Sequence, residues 1–327
     1  MPRFFLGLDF GGSKSHALVA DDDGRALGFG YGGPGNPQSV GYDQMADLVQ
    51  TITNQALTTA GLTVSHLSGE GFGIAGYDWP TQLEPNRRVV ETLGLNAPFE
   101  IVNDTIVGLL AGAAVGWGIA LVAGTSCNCH GWDKNRQEGK MTGGGLHMGE
   151  AAGATELVDK VIQTIARQWT LRGPATRLTE AFVELADARD CEDLLEGVTM
   201  GRYELGAAAA PVVFRVAAEG DTVAKDLILW AGRELGDMAN GVIRQLDFEA
   251  LGFDVVLVGS FFNGSQLLVE TIRKTVHTIA PDAHVVRLSA PPVVGGVLLG
   301  MQQVGLDTAA VRDTLIRSTA ELWKREN

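Results

Sequence analysis

The stretch FLGLDFGGSKSHALVA, residues 5 to 20, places Asp9, Gly11, Gly12, Ser13, Lys14 and Ser15 between two apolar runs. These groups together suit an anion. Glycines let the backbone approach it closely and aim N–H groups at it. Lys14 adds a cation, Ser13 and Ser15 add donors, and Asp9 beside such a turn suits a hydrated Mg²⁺ that bridges phosphates. The same residues also fit a plain hairpin turn with a solvated lysine. A second turn, Gly124–Thr125–Ser126, follows another apolar run and shifts the reading toward two phosphate-gripping loops. Asp104 closes the apolar run IVND just before DTIVGLLAGAA. That puts its carboxylate at a strand's C-terminal edge, where α/β proteins bind ligands. It fits a helix N-cap equally well, and one residue can do both.

Other patterns fail on context. GFGYGG (28–33) and GFGIAG (71–76) both satisfy G-x-G-x-x-G, but neither opens a helix directly after its strand, so the dinucleotide fingerprint is not met. Ser13 separates Gly12 from Lys14, which rules out a Walker A loop. CNCH (127–130), with His147 further on, invites a zinc site, yet its spacing lacks the paired signatures, and small buried residues behind the loop are the plainer expectation. In GGGLHMGEAAG (143–153), Glu150 and His147 either line a polar pocket or cap the helix that follows. VGSFFNGS (258–265) is a strand, a glycine turn and a helix start whose glycines could admit a nucleotide face.

The elements that must position these groups read as α/β. FLGLDF, SHALVA and RALGFGY form an antiparallel meander, followed by a helix that ends at Gly61. EGFGIAG and FEIVND are strands around the helical segment NRRVVETLG, and strands alternating with helices after a meander indicate an α/β lobe. IALVAG is a buried strand. Residues 150 to 248 are helical in pattern, broken at Gly173–Pro174 and near Gly220, and DVVLVGS and AHVVRLS are later strands. DFGGSKS and VAGTSCN echo one another as apolar strand, glycine turn and hydroxyl cluster. The 327 residues predict two lobes, 1–115 and 116–327, the second with a helical insertion at about 150–248. The terminal helix over 307–325 is a candidate to pack back on the first lobe.

A net charge of −14 argues against nucleic acid or an anionic membrane surface as partner. Thr105 to Trp132 carries no Asp, Glu, Lys or Arg and reaches transmembrane length, but its glycines and polar close favour a buried helix, a turn and a buried strand. The three cysteines, Cys127, Cys129 and Cys191, and the lack of a leader pattern fit a cytoplasmic protein.

Together these pieces resemble the N-acetylglucosamine kinase group of the BadF/BadG/BcrA/BcrD ATPase family, in the sugar kinase–Hsp70–actin superfamily. The likeness runs in order along nearly the whole chain. DFGGSKS resembles the first phosphate loop, D-x-G-G-T-K-[ST], and VAGTSCNC the second, S-G-T-G-S-N-C. GGPGNPQSVG resembles the sugar-binding segment, IAGYD the [SA]-G-x-[DE] turn and IVNDT the segment with the catalytic Asp. GGGLHMGE resembles G-G-W-G-H-M-x-G-D, VLVGSFFNGS the adenosine-side turn and PPVVGGVLLG the closing A-x-G-G-A-x-x-G. Ser126 stands for a loop Gly, Glu150 for Asp, and Ala151 where a second acidic residue is common.

The resemblance implies a two-lobed actin-like ATPase (ribonuclease H-like) fold with a cleft between the lobes. It implies ATP and Mg²⁺ as cofactors and an amino sugar as substrate, with N-acetylglucosamine first and glucosamine, N-acetylmuramate and glucose as alternatives. Asp104 would be the catalytic base for the sugar 6-hydroxyl, and Asp9 would hold Mg²⁺ through water. Gly11, Gly12, Ser13, Lys14, Thr125, Ser126, Gly259 and Ser260 would bind ATP. Asn36, Ala75, Gly76, Asp104, Asn128 and Glu150 would bind the sugar, and a homodimer is expected. Two other classes compete. An activator ATPase needs cluster-binding cysteines, but Cys127 and Cys129 sit in the phosphate loop; a sugar- or ATP-sensing binder needs no proton acceptor.

Overall fold

The computed structural model describes residues 2–326. The first sheet comprises β1 (Phe4–Phe10), β2 (Ser15–Asp21), β3 (Ala26–Gly32), β4 (Leu67–Ile74) and β5 (Phe99–Asn103), in the order β3-β2-β1-β4-β5. β1 to β3 are antiparallel, and β4 and β5 add in parallel on the other side of β1. Helices α1 (Pro37–Val40) and α2 (Tyr42–Ala60) connect β3 to β4, α3 (Leu83–Glu91) connects β4 to β5, and α4 (Asp104–Gly112) leaves β5. Period-2 alternation sends Leu6, Leu8 and Phe10 of β1 into the core with Met45, Val49 and Ile52 of α2. α2 ends where expected, at Gly61 in the left-handed region (φ 68°).

The second sheet repeats the path. β6 (Gly118–Ala123), β7 (Cys127–Trp132) and β8 (Glu138–Lys140) form an antiparallel meander, and β9 (Asp254–Val258) and β10 (His284–Arg287) add in parallel, giving β10-β9-β6-β7-β8. The local echo between the two glycine turns thus reflects a duplicated topology. Five helices fill residues 154–245: α5 (Ala154–Trp169), α6 (Leu178–Leu185), α7 (Cys191–Thr199), α8 (Ala210–Ala218) and α9 (Thr222–Gln245). α10 (Gln266–Val276) joins β9 to β10, and α11 (Val293–Gln302) and α12 (Ala309–Glu326) close the chain.

The expected breaks near Gly173–Pro174 and Gly220 are present, and the structure adds two more, around residues 186–190 and 200–209. CNCH is not part of a loop but opens strand β7. Cys127 and Cys129 join one core cluster while Trp132 joins another, so the strand alternates between two buried faces.

The helices that follow the two sheets meet between them. α4, after β5, lies between the sheets, packing on β6, β7 and β9 of the second as well as on β4 of the first, while α11, after β10, packs on β1 and β4 of the first. They cross between the sheets at Gly295, where a Cβ would lie 1.8 Å from the Val107 carbonyl oxygen. Only a residue without a side chain permits that approach. α12 docks on the edge of the first sheet: Ser318 Oγ accepts from Ala26 N (3.0 Å) and donates to the Gly24 carbonyl (2.9 Å). Trp323 meets Phe29 edge-on at 4.7 Å. No helix among the described residues is long and apolar enough to cross a membrane.

Candidate active site

The C-terminal ends of β1, β4 and β5 and of β6 and β9 all open into one cavity of about 1150 Å³. That exceeds the ~300–1000 Å³ typical of a site for one small ligand and leaves room for two. Asp9, the penultimate residue of β1, is 9% exposed and lines it, followed by Gly11, Gly12, Ser13 and Lys14. Gly11 N donates to the Lys14 carbonyl (3.0 Å), which closes the turn, and Gly35 N donates to the Gly11 carbonyl (3.0 Å), which ties the turn to the Asn36 segment. Ser15 departs from expectation. As the first residue of β2 it is fully buried, and its hydroxyl does not line the cavity.

The second turn approaches from the other sheet. Ser13 Oγ and Thr125 Oγ1 are 3.2 Å apart, so the two hairpin turns touch across the cleft. Ala154 N and Thr155 N donate to the carbonyls of Gly124 (2.9 Å) and Thr125 (3.0 Å), fixing this turn against the start of α5. Ser126 and Asn128 line the same cavity.

Asn36, Ala75 and Gly76 come together on the opposite wall. Asn36 Oδ1 caps α1 by accepting from Gln38 N (2.9 Å), and Gln38 Nε2 donates to the Gly76 carbonyl (2.7 Å). Asn103 caps α4 by accepting from Thr105 N (2.9 Å), so Asp104 is released from capping and faces the cavity from the helix's first turn. Burial, then the negative charges of Asp9 and Asp78, push the Asp104 carboxyl up to about 7, against an opposing pull from His130 and the Thr105 amide. An acceptor poised near neutrality is suited to taking a proton from a hydroxyl.

Apolar residues line part of the cavity beyond β9, together with Ser260, Asn263 and Arg287. Gly259 (φ 117°) turns β9 toward the cavity, and a Cβ there would lie 2.2 Å from the Ala123 carbonyl oxygen. Gly259 and Ser260 line the same cavity as Ala207, Ala208, Pro211 and Phe214, at and just before the start of α8, a setting that suits a flat apolar group. Sequence reasoning missed this wall, because an alanine-rich helix start carries no chemical signature.

Glu150 is not among the residues lining the cavity. It is 5% exposed and turns inward, accepting from Thr142 N (2.6 Å) and Gly144 N (3.1 Å), so it shapes the loop whose Gly143 reaches the cleft. Neither Glu150 nor His147 caps α5; Gly153 holds that position. Asp78 was missed, although IAGYD contains it. It is 4% exposed, lines the cavity and accepts from Asn128 Nδ2 (2.9 Å) and Asn103 Nδ2 (3.1 Å) through Oδ1.

The thiols are poor ligands here, since burial pushes Cys127 up to about 12 and Cys129 higher still. Among the described residues no three His, Cys, Asp or Glu side chains converge as a metal cage. A single carboxylate, Asp9, beside a glycine turn that could hold phosphates is a donor set that would suit Mg²⁺, an ion that keeps most of its waters.

Comparison with known proteins gives a consistent picture. The model of the BadF/BadG/BcrA/BcrD ATPase family matches residues 6–300. An N-acetylmuramic acid/N-acetylglucosamine kinase of Clostridium acetobutylicum is 24% identical over 306 residues, 92% of this chain and 99% of that protein. An N-acetyl-D-glucosamine kinase of Dictyostelium discoideum is 24% identical over 91% of this chain and 98% of its own. The solved ROK family glucokinase from Streptomyces griseus, in complex with glucose and AMPPNP, superposes with a TM-score of 0.60 at 18% identity, covering 91% of this chain and 99% of that one.

Proposed function

The chain belongs to the BadF/BadG/BcrA/BcrD ATPase family, and on that premise we propose that it is an ATP-dependent sugar kinase acting on the 6-hydroxyl of an amino sugar, N-acetylglucosamine before N-acetylmuramate, glucosamine or glucose. One observation carries the reading: a single cavity is lined by two touching glycine turns and by a carboxylate tuned to about 7. Phosphoryl transfer asks for little else. It needs the γ-phosphate held in line with the hydroxyl and its charge neutralised. In this reading the turns at 11–14 and 124–126 grip the phosphates, Lys14 balances their charge, and Gly259 and Ser260 border the adenosine. Asn36, Ala75, Gly76 and Asn128 orient the sugar so that its hydroxyl meets Asp104, which takes the proton. Mg²⁺, held through water by Asp9, supplies charge neutralisation when bound.

We further read the chain as two lobes dividing near residue 115, with residues 293–326 returning to the first. A cytoplasmic homodimer completes the proposal; three free thiols support the compartment. The assay that tests the activity is ADP release from MgATP against the four sugars. Turnover with one of them establishes the kinase and names its substrate, whereas sugar-independent hydrolysis favours an activator ATPase.

Two expected outcomes follow. Lys14→Ala raises the KM for ATP about 10–100-fold, the loss expected for a charge-assisted phosphate contact, with less effect on the KM for sugar. The pH profile has a definite sign: Asp104 must be ionised to accept a proton, so kcat/KM for sugar falls tenfold per unit below an acid limb near pH 7. Raising Mg²⁺ places positive charge beside the carboxylates and moves that limb to lower pH.

A further inference from the structure

His130 and Glu138 take no part in the chemistry above, yet they lie directly behind it. His130 is fully buried on β7. Its Nδ1 is 2.8 Å from Glu138 Oε1, within hydrogen-bond distance, whereas its buried Nε2 makes no hydrogen bond and lies 3.7 Å from Asp78 Oδ1, within ion-pair reach only. Burial opposes a charge on the ring, but the contacts with Asp78 and Glu138 outweigh it and raise the ring above its ordinary 6.5. Glu138, partly buried on the other side, is lowered from 4.5 against its own burial by the hydrogen bond and charge of His130. The two neighbouring carboxylates favour the protonated ring.

The contacts continue toward the cleft. Asp78 Oδ1 accepts from Asn103 and Asn128, and the Lys140 ammonium donates to the Asp78 carbonyl. Asn103 in turn caps α4 at Thr105 N. A series of polar contacts therefore runs from Glu138, whose side chain is 39% exposed, to the helix turn that carries Asp104, with the 3.7 Å approach of His130 to Asp78 as its one link that is not a hydrogen bond. It passes from the second sheet, through His130, Asn128 and Lys140, to Asp78 and Asn103 of the first.

We propose that His130 is a positioning residue for the phosphoryl-transfer site: held by Glu138, it places positive charge beside the Asp78 carboxylate, which receives the Asn128 amide from the cavity wall and the amide of Asn103, the cap of the helix that begins with Asp104. The charged groups facing it are Glu138 and Lys140 from β8, Asp78 from the loop after β4 and Asp104 from α4. Its positive charge also pulls the Asp104 carboxyl down against burial. The proposal rests on Asp104 being the proton acceptor.

His130→Gln keeps a polar side chain and removes the charge. The acid limb of kcat/KM is expected to move up by roughly one pH unit, so activity falls most below pH 7 and recovers toward pH 9. A role in packing alone lowers activity equally at every pH, and an unmoved limb overturns the proposal. Because a buried substitution can prevent folding, a second measurement stands apart from turnover. The His130 ring is titrated by NMR in the wild type and in Glu138→Gln. Titration above 6.5 in the wild type, lowered in the variant, is expected; a wild-type ring titrating at or below 6.5, or one indifferent to Glu138, overturns the clamp. If no sugar supports turnover, the kinase reading fails, and the ring titration still decides whether the clamp exists.

Discussion

Asp104→Asn is expected to lower kcat about 10²–10⁴-fold, the contribution of one well-placed general base, while changing the KM for either substrate far less. The asparagine keeps the shape of the carboxylate and its place at the start of α4, so sugar and nucleotide still bind. The same substitution is expected to stabilise the protein at alkaline pH. A carboxyl raised in the folded state to about 7, from 3.8 when unfolded, makes the folded chain bind more protons across that window. Folding stability therefore falls as pH rises from 4 to 7, and the neutral amide escapes that loss. For a half-buried group the gain at pH 8 is about 1 kcal/mol, or ~2–4 °C in Tm, and it disappears near pH 4. An inactive variant that melts higher at pH 8 is the signature of a site that trades stability for chemistry. Retention of wild-type turnover by Asp104→Asn contradicts the assignment of the base.

Gly295→Val is expected to be the most damaging single change outside the cleft. A Cβ at this position meets the Val107 carbonyl oxygen at 1.8 Å and its Cα at 2.9 Å, both backbone atoms of α4 that cannot swing aside. The two helices must part, at a cost of about 3 kcal/mol or more, which lowers Tm by roughly 10 °C. Since α4 begins with Asp104, whatever folds should also lose turnover. Gly12→Ala is the contrast. A Cβ there meets nothing within 4 Å, so the melting temperature should hold while the KM for ATP rises. Differential scanning calorimetry of both variants measures the difference, and an unchanged Tm for Gly295→Val contradicts the described crossing of α4 and α11.

The parts of this molecule that could be read from the sequence are those whose signal is local. Asp9 to Lys14 and Gly124 to Ser126 each show an apolar strand giving way to a glycine turn, so their place in a cleft followed from the residues themselves. From the residues alone Asp104 fits a helix cap or a ligand-facing carboxylate, and the structure gives the cap to Asn103 and leaves Asp104 facing the cavity. What could not be read depends on contacts between distant segments. β7 looks too polar for a core strand because Asn128 finds its acceptor in Asp78 and His130 Nδ1 its partner in Glu138, both from other segments of the chain. Glu150 was read as facing a ligand and instead serves its own loop, a choice set by the folded path of residues 142–144. Glu70 remains without an account: fully buried, with neither carboxylate oxygen hydrogen-bonded, its pKa is pushed up to about 8 by burial.

The most direct test is phosphorus NMR of MgATP incubated with N-acetylglucosamine and the wild-type protein, with Asp104→Asn alongside. A new phosphate monoester signal coupled to the protons on carbon 6, growing in step with ADP and absent with the variant, is the predicted result. Inorganic phosphate as the sole new product, formed at the same rate with and without any of the four sugars, would contradict it.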